Sequence, residues 1–154
     1  MDYIQTMRKM IGKEPLLTVG CGVIITNEGK ILLQHRTDAD NWCIPGGLME
    51  LGETFEETAK RETYEETGLN VEGLQLFGLY SGESGYATYP NGDQMYSVQV
   101  IFHSDEYTGE LNQGGAESRA HRFFGKDELP KNLNTIQKAF IQDWADEKKL
   151  PVMR

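Results

Sequence analysis

The sequence predicts a mixed α/β domain in which helices pack against a sheet. Three observations predict it. Runs rich in β-branched and aromatic residues occur at 16–26, 30–36, 71–80, 95–103 and 119–124. Apolar residues recur at helical spacing within 2–11 and again from Leu133 to Trp144. A length of 154 residues suits one domain, 1–154, that buries a core without disulfides.

Tyr3, Ile4, Met7, Met10 and Ile11 mark a short N-terminal helix. Strands 16–26 and 30–36 follow, joined by the Asn27–Glu28–Gly29 turn. Both carry consecutive apolar residues, as strands do when both faces are covered. Pro45–Gly46–Gly47 then forms a loop that neither strand nor helix tolerates well. A second helix starts at Thr54, where Thr54 and Glu57 spell a capping box. It ends at Gly68, placed as a C′ glycine with Leu69 packing behind it.

Strands 71–80 and 95–103 flank residues 81–94, which hold three glycines, Pro90 and Asn91. A loop of that length in a compact domain reads as functional. A strand at 119–124 precedes a last helix, with Leu133, Ile136, Phe140 and Trp144 on one face. No internal repeat or low-complexity tract interrupts this order.

Composition narrows the function. Residues 1–13 are too polar for a secretory leader, and no run is long enough to span a membrane. A cytoplasmic location follows by default. The two cysteines, Cys21 and Cys43, lack Cys-x-x-Cys spacing and read as small core residues. The net charge is −9, and no stable binding to nucleic acid or membrane is expected. His35, His103 and His121 are scattered, so neither a zinc site nor a histidine-activated nucleophile emerges. Walker and dinucleotide-binding glycine patterns are absent too.

The acidity is concentrated. From Glu50 to Glu66 there are seven glutamates against Lys60 and Arg61, a net −5. Within the second helix, Glu62, Glu65 and Glu66 fall at i, i+3 and i+4, which puts their carboxylates on one side. Such a face repels itself, and a cation from solution is the simplest relief. Oxygen-only donors favour a hard ion, Mg²⁺ with Mn²⁺ as a substitute, over zinc. Magnesium completes its shell with water and substrate phosphate, so the pattern points to phosphate chemistry. Glu53 sits at the helix entrance, where a carboxylate is favoured, and Arg61 is placed to pair with it.

An isolated Glu-x-x-Glu-Glu reads more simply as a solvated helix face. The longer pattern does not. Gly47, Glu53, Arg61, Glu62, Glu65, Glu66 and Gly68 are seven fixed identities. At average residue usage they coincide by chance roughly once in 10⁹ start positions.

The segment GLMELGETFEETAKRETYEETGL resembles the Nudix box of the Nudix hydrolase (MutT-like) superfamily. It departs at Thr63, where the family usually has an aliphatic residue; Thr63 is expected to face the core. Pro45–Gly46–Gly47, Arg122–Phe123–Phe124 and Asp127–Glu128–Leu129–Pro130 extend the likeness over most of the chain.

The resemblance implies a mixed sheet sandwiched between helices. It also implies metal-dependent hydrolysis of a nucleoside diphosphate linked to another moiety, X, of nucleoside triphosphate, ADP-ribose or dinucleoside polyphosphate type. Carried onto this chain, Glu62, Glu65 and Glu66 hold the metal, with the Gly46 carbonyl as a further ligand. Glu53 and Arg61 brace them. The general base is Glu62 or, from a later loop, Glu117. Arg36 is a candidate phosphate contact, and Tyr80, Tyr86 and Tyr89 are candidates for stacking a base.

Tyr86 lies 17 residues after Leu69, as in the diadenosine polyphosphate group, while Pro90 lies near the proline of ADP-ribose hydrolases. The family leaves room for a homodimer. The competing reading is a Nudix fold that senses a nucleotide without cleaving it, although no box glutamate is missing. An RNA-directed enzyme is disfavoured by the absence of a basic patch.

Overall fold

The computed structural model describes residues 2–112 and 120–154. Helix α1, Tyr3–Ile11, is capped by Asp2, whose carboxylate accepts from the Gln5 N–H at 2.7 Å. Strand β1, Leu16–Asn27, turns into β2, Lys30–Arg36, and then β3, Asn41–Cys43, and β4, Gly46–Leu48. Helix α2, Phe55–Thr67, follows, with β5, Asn70–Glu72, and β6, Gln75–Tyr80. After a 3₁₀ turn, Glu83–Gly85, come β7, Tyr86–Thr88, β8, Gln94–Ser104, and β9, Glu106–Thr108. The chain closes with β10, His121–Phe124, α3, Lys138–Ala145, and β11, Val152–Met153.

The centre of the fold is the parallel pair β1 and β8, in unbroken register from Leu16↔Met95 to Ile25↔Ser104. The sheet runs β10-β2-β1-β8-β6-β11, with β3 beside β2, β4 beside β1 and β7 beside β8. β1 changes partner along its length. Gly20–Gly22 pairs with β4, whereas Thr26 and Asn27 pair with β2. That change seats the Gly46–Leu48 strand against the middle of the sheet.

Alternation along β1 builds two cores. Cys21, Val23 and Ile25 pack with Val100, Phe102, Leu69 and Ala59 of α2. Ile24 faces the other way, with Ile101, Phe77 and Tyr80 against Phe140, Ile141 and Trp144 of α3. The sheet is therefore sandwiched, as expected for this fold class. Each large side chain fully buried this way contributes about 1.5–3 kcal/mol.

Helix α2 forms as its caps dictate. Thr54 accepts from the Glu57 N–H and the Glu57 carboxylate accepts from the Thr54 N–H, both at 3.1 Å. At the other end Gly68 takes the left-handed conformation, φ 81°, and Leu69 is buried. A side chain at Gly68 would be strained by that φ and would meet the Glu110 carbonyl. Thr63 is fully buried, on the core side of the helix.

Four expectations are corrected. Pro45–Gly46–Gly47 is not all loop: Gly46 and Gly47 open β4 and pair with Gly22 and Cys21 of β1, where a side chain at Gly46 would run into the β1 backbone. Residues 71–80 are two strands, because the chain turns at Gly73, φ 61°; β5 pairs with β9 and only β6 joins the main sheet. The last helix begins at Lys138, so Leu133 and Ile136 precede it. Leu133 is drawn into a bridge with Trp42, and the Asn134 side chain accepts from the Ile136 N–H at 3.0 Å. Tyr80 is a core residue: its hydroxyl donates to Asp143 at 2.9 Å beneath α3.

Both cysteines are buried, and burial with the charge of Glu53 pushes Cys21 up to about 11. Among the described residues no helix is long and apolar enough to cross a membrane.

Asp143 is buried yet held by three bonds, from Tyr80 and from the two-nitrogen fork of Arg154 at 2.9 Å each. Arg154 and Tyr80 together keep its carboxyl below the usual range, although burial opposes this. Asp143→Ala is therefore expected to cost about 2 kcal/mol by orphaning the buried Tyr80 hydroxyl and freeing Arg154. Urea unfolding would show a lower midpoint with an unchanged slope.

Candidate active site

The site begins with Arg61 on α2. Its Nε and Nη2 donate to Glu53 at 2.7 and 2.9 Å, a two-bond fork. Nη2 also donates to the Leu48 carbonyl at 3.2 Å. Nη1 donates to Glu62 at 2.8 Å and reaches Glu65 at 3.5 Å. One guanidinium thus joins β4, the loop before α2 and two acidic residues of the helix.

Glu53 is held from several sides. Besides Arg61, it accepts from the Glu50 N–H at 2.9 Å and the Thr58 hydroxyl at 3.0 Å. These bonds, chiefly those from Arg61, lower its pKa to about 2 against the opposing effect of burial. Glu62 responds differently. Desolvation raises its pKa, aided by the neighbouring charges of Glu65 and Glu53, while Arg61 opposes the shift.

Gly47 explains how Glu62 comes so close to the sheet. A Cβ on Gly47 would overlap the Glu62 carboxylate. Only a residue without a side chain lets the carboxylate rest on β4. Glu66 meets the same strand one residue earlier: it accepts from the Gly46 N–H at 3.1 Å and from the Gln34 amide. Gln34 is 1% exposed and contacts His121 through its other amide atom at 3.2 Å.

The three carboxylates share a helix side, as their spacing predicts, but turn to different partners. Glu62 and Glu65 face Arg61, whereas Glu66 faces Gly46 and Gln34. Among the described residues no three Asp, Glu, His or Cys side chains converge on one point. Arg61 relieves part of the repulsion between Glu62 and Glu65 from within the chain.

On the other side of β4 lies a cavity of about 430 Å³. Gly46, Gly47 and Leu48 form one wall. Gly20 and Gly22 of β1 and Ser97 and Gln99 of β8 line it from the sheet, and residues 134–137 lie opposite. Tyr89 and Pro90 form the lip. Arg36 also lines it, with its guanidinium on Asp38 at 2.9 Å, a bond that raises the arginine's pKa and lowers that of its partner.

Tyr86 stands apart from this cavity. It is not among the lining residues, its ring packs on Tyr96 with centroids 5.0 Å apart, and its hydroxyl bonds to Gln94. Glu117 lies outside the described residues. Sequence reasoning missed Gln34, Gln99 and Asn134. A lone glutamine in the apolar run ILLQ, and glycines alternating at 20 and 22 on a strand, were signals available for the first two.

Comparison with known proteins identifies the family. The NUDIX domain model matches residues 16–144. A MutT-like protein of Streptomyces ambofaciens is 43% identical over 133 residues, 86% of this chain and 79% of that protein. An ADP-ribose pyrophosphatase of Methanocaldococcus jannaschii is 36% identical over 70% of this chain and 62% of its own length. Among solved structures, a MutT NUDIX hydrolase from Burkholderia pseudomallei superposes with a TM-score of 0.70 at 27% identity. That likeness covers 82% of this chain and 97% of that one. The chain belongs to the Nudix hydrolase family and is an enzyme acting on the pyrophosphate bond of a nucleoside diphosphate linked to another moiety.

Proposed function

We propose that this enzyme binds the nucleotide in the cavity beside β4 and cleaves its diphosphate against the carboxylate face of α2. One observation carries the reading. Gly46 and Gly47 both line the cavity and touch Glu66 and Glu62, so a single strand of backbone joins substrate space to acid cluster.

The family uses divalent cations, and the donor set here fits one. Glu62, Glu65 and Glu66 offer only oxygen, and Glu62 is a desolvated carboxylate with like charges beside it. We assign these three glutamates and the Gly46 carbonyl to the cation, with Mg²⁺ the intended ion and Mn²⁺ a substitute. Bound there, the cation supplies positive charge to the diphosphate and activation of water.

The chain's own residues do the rest. Arg61 holds Glu62 against β4 and ties the loop through Glu53. Glu62, held by Arg61 at 2.8 Å, is assigned the role of general base. Arg36 and Tyr89 line the cavity and are assigned to phosphate and base. ADP-ribose leads the substrate panel, since the archaeal relative carries that activity in its name. Nucleoside triphosphates and dinucleoside polyphosphates follow.

Glu65→Gln is expected to cut kcat with Mg²⁺ about 100-fold on the best panel nucleotide. Melting should hardly change, because Glu65 is 55% exposed. Chelation of the wild-type enzyme should abolish turnover, and added Mg²⁺ should restore it. Unchanged turnover in Glu65→Gln would overturn the ligand assignment. Binding without release of any product would favour a sensing module.

Glu53 gives a second test. Its pKa is depressed on folding, so its contribution to stability is present above pH 4.5 and is lost as pH falls towards about 2. Between those limits Glu53→Gln should lose less stability than wild type in acid melts. At neutral pH the same variant should lose about 10- to 100-fold in kcat, because Arg61 and Glu62 lose their brace.

A further inference from the structure

Helix α1 contains no fully buried side chain. A helix of nine residues is marginal by itself, so something other than core burial holds it. Its contacts run to the lips of the cavity. Arg8 is the centre: its side chain is 13% exposed, and Nη2 donates to the Gln94 carbonyl at 2.6 Å. Nη1 donates to the Gly12 and Glu14 carbonyls at 3.1 and 2.7 Å, and Nε lies 3.7 Å from the Asp93 carboxylate.

Neighbouring groups repeat the tie. Lys13 donates to the Asn91 carbonyl, and the Gln94 amide donates to the Lys13 carbonyl at 3.4 Å. At the other end, the Tyr3 N–H donates to Glu50, in the loop that carries Glu53, at 3.3 Å.

The turn held by these bonds is the one that carries Tyr89. It closes on itself through Tyr89 N–H to the Asp93 carbonyl and Gly92 N–H to the Tyr89 carbonyl, both 2.8 Å. Behind it, beneath α1, is a second hollow of about 500 Å³. Leu48, Tyr89, Pro90 and Met95 line both this hollow and the nucleotide cavity. The wall between them is one layer of side chains. With space on both sides, packing alone does not fix it; besides the turn's own bonds and the Tyr89 hydroxyl on the Met95 sulfur at 3.7 Å, the bonds from Arg8 and Lys13 tie it to α1.

We propose that Arg8 is a positioning residue for substrate, acting through the 89–94 turn to hold Tyr89 at the mouth of the cavity. The proposal rests on the assignment of that cavity to the nucleotide. Arg8 touches neither the carboxylates of α2 nor the cavity itself, so it sets binding and leaves the chemical step alone. Arginine suits the position because one planar fork reaches oxygens of two segments, 12–14 and 93–94, which a lysine's point charge does only in part.

The test is steady-state kinetics on the best substrate of ADP-ribose, GTP and diadenosine tetraphosphate, with Mg²⁺. Arg8→Ala should raise KM about tenfold with kcat within about twofold. Arg8→Lys should recover part of the loss, and Lys13→Ala should show a smaller rise in the same direction. Tyr89→Leu should match Arg8→Ala, and the double variant should be no worse than Tyr89→Leu alone, because both act through one contact.

A KM unchanged in Arg8→Ala, a fall in kcat alone, or independent effects in the double variant would overturn the proposal. If Arg8→Ala fails to fold, Lys13→Ala carries the same comparison. If wild type hydrolyses none of the three, the functional reading falls, and the ratio is read as Kd for ADP-ribose. Binding weakened about tenfold in Arg8→Ala supports the positioning role even then; equal binding, or none by wild type, overturns it.

Discussion

The Arg61 guanidinium is the interaction on which the site depends. It meets Glu53 through two bonds, the Leu48 carbonyl through a third and Glu62 through a fourth. Without it, the Gly46–Leu48 strand, the loop to Thr54 and the acidic helix would be left with the Gly46–Glu66 and Thr58–Glu53 bonds and the packing of Glu62 on Gly47. A surface ion pair contributes little. This one differs because it is a planar fork, partly shielded and shared among several acceptors, so its geometry matters more than its Coulomb energy. It also eases the repulsion among Glu53, Glu62 and Glu65, which stand close around it.

The fold places this cluster beside a cavity. Parallel pairing of β1 with β8 leaves β1 flanked by β4 over one stretch and by β2 over another. β4 thereby becomes a partition. The acidic helix covers one of its sides and the cavity opens on the other. A single strand of backbone separates the acidic helix from the cavity.

Much of this was legible in the sequence, for local reasons. The capping box and Gly68 specify α2 through bonds within a few residues of each other, and the carboxylate face follows from helical periodicity. Glu53 and Arg61 could be paired because their spacing spans one loop and two helical turns. What could not be read depends on contacts distant in sequence. Gln34 meets Glu66 across 32 residues, and Gln99 reaches the cavity only through the β1–β8 register. Tyr86 and Tyr89 look alike as loop aromatics. Strand β7 turns Tyr86 onto Tyr96, whereas the turn beyond it presents Tyr89 to the cavity. Tyr80 was misread because its partner, Asp143, lies 63 residues away.

The contact of Gly47 with Glu62 carries a consequence for how such a sequence can change. The two behave as one volume divided between two stretches of chain: the space denied to a side chain at 47 is the space taken by the carboxylate at 62. A lineage that kept catalysis would hold both fixed. One that gave up catalysis and shortened Glu62 would free position 47 in the same step. Glycine retained at 47 beside a glutamate at 62 is thus a paired signature, and a larger residue at 47 would mark a descendant whose carboxylate no longer rests on the strand.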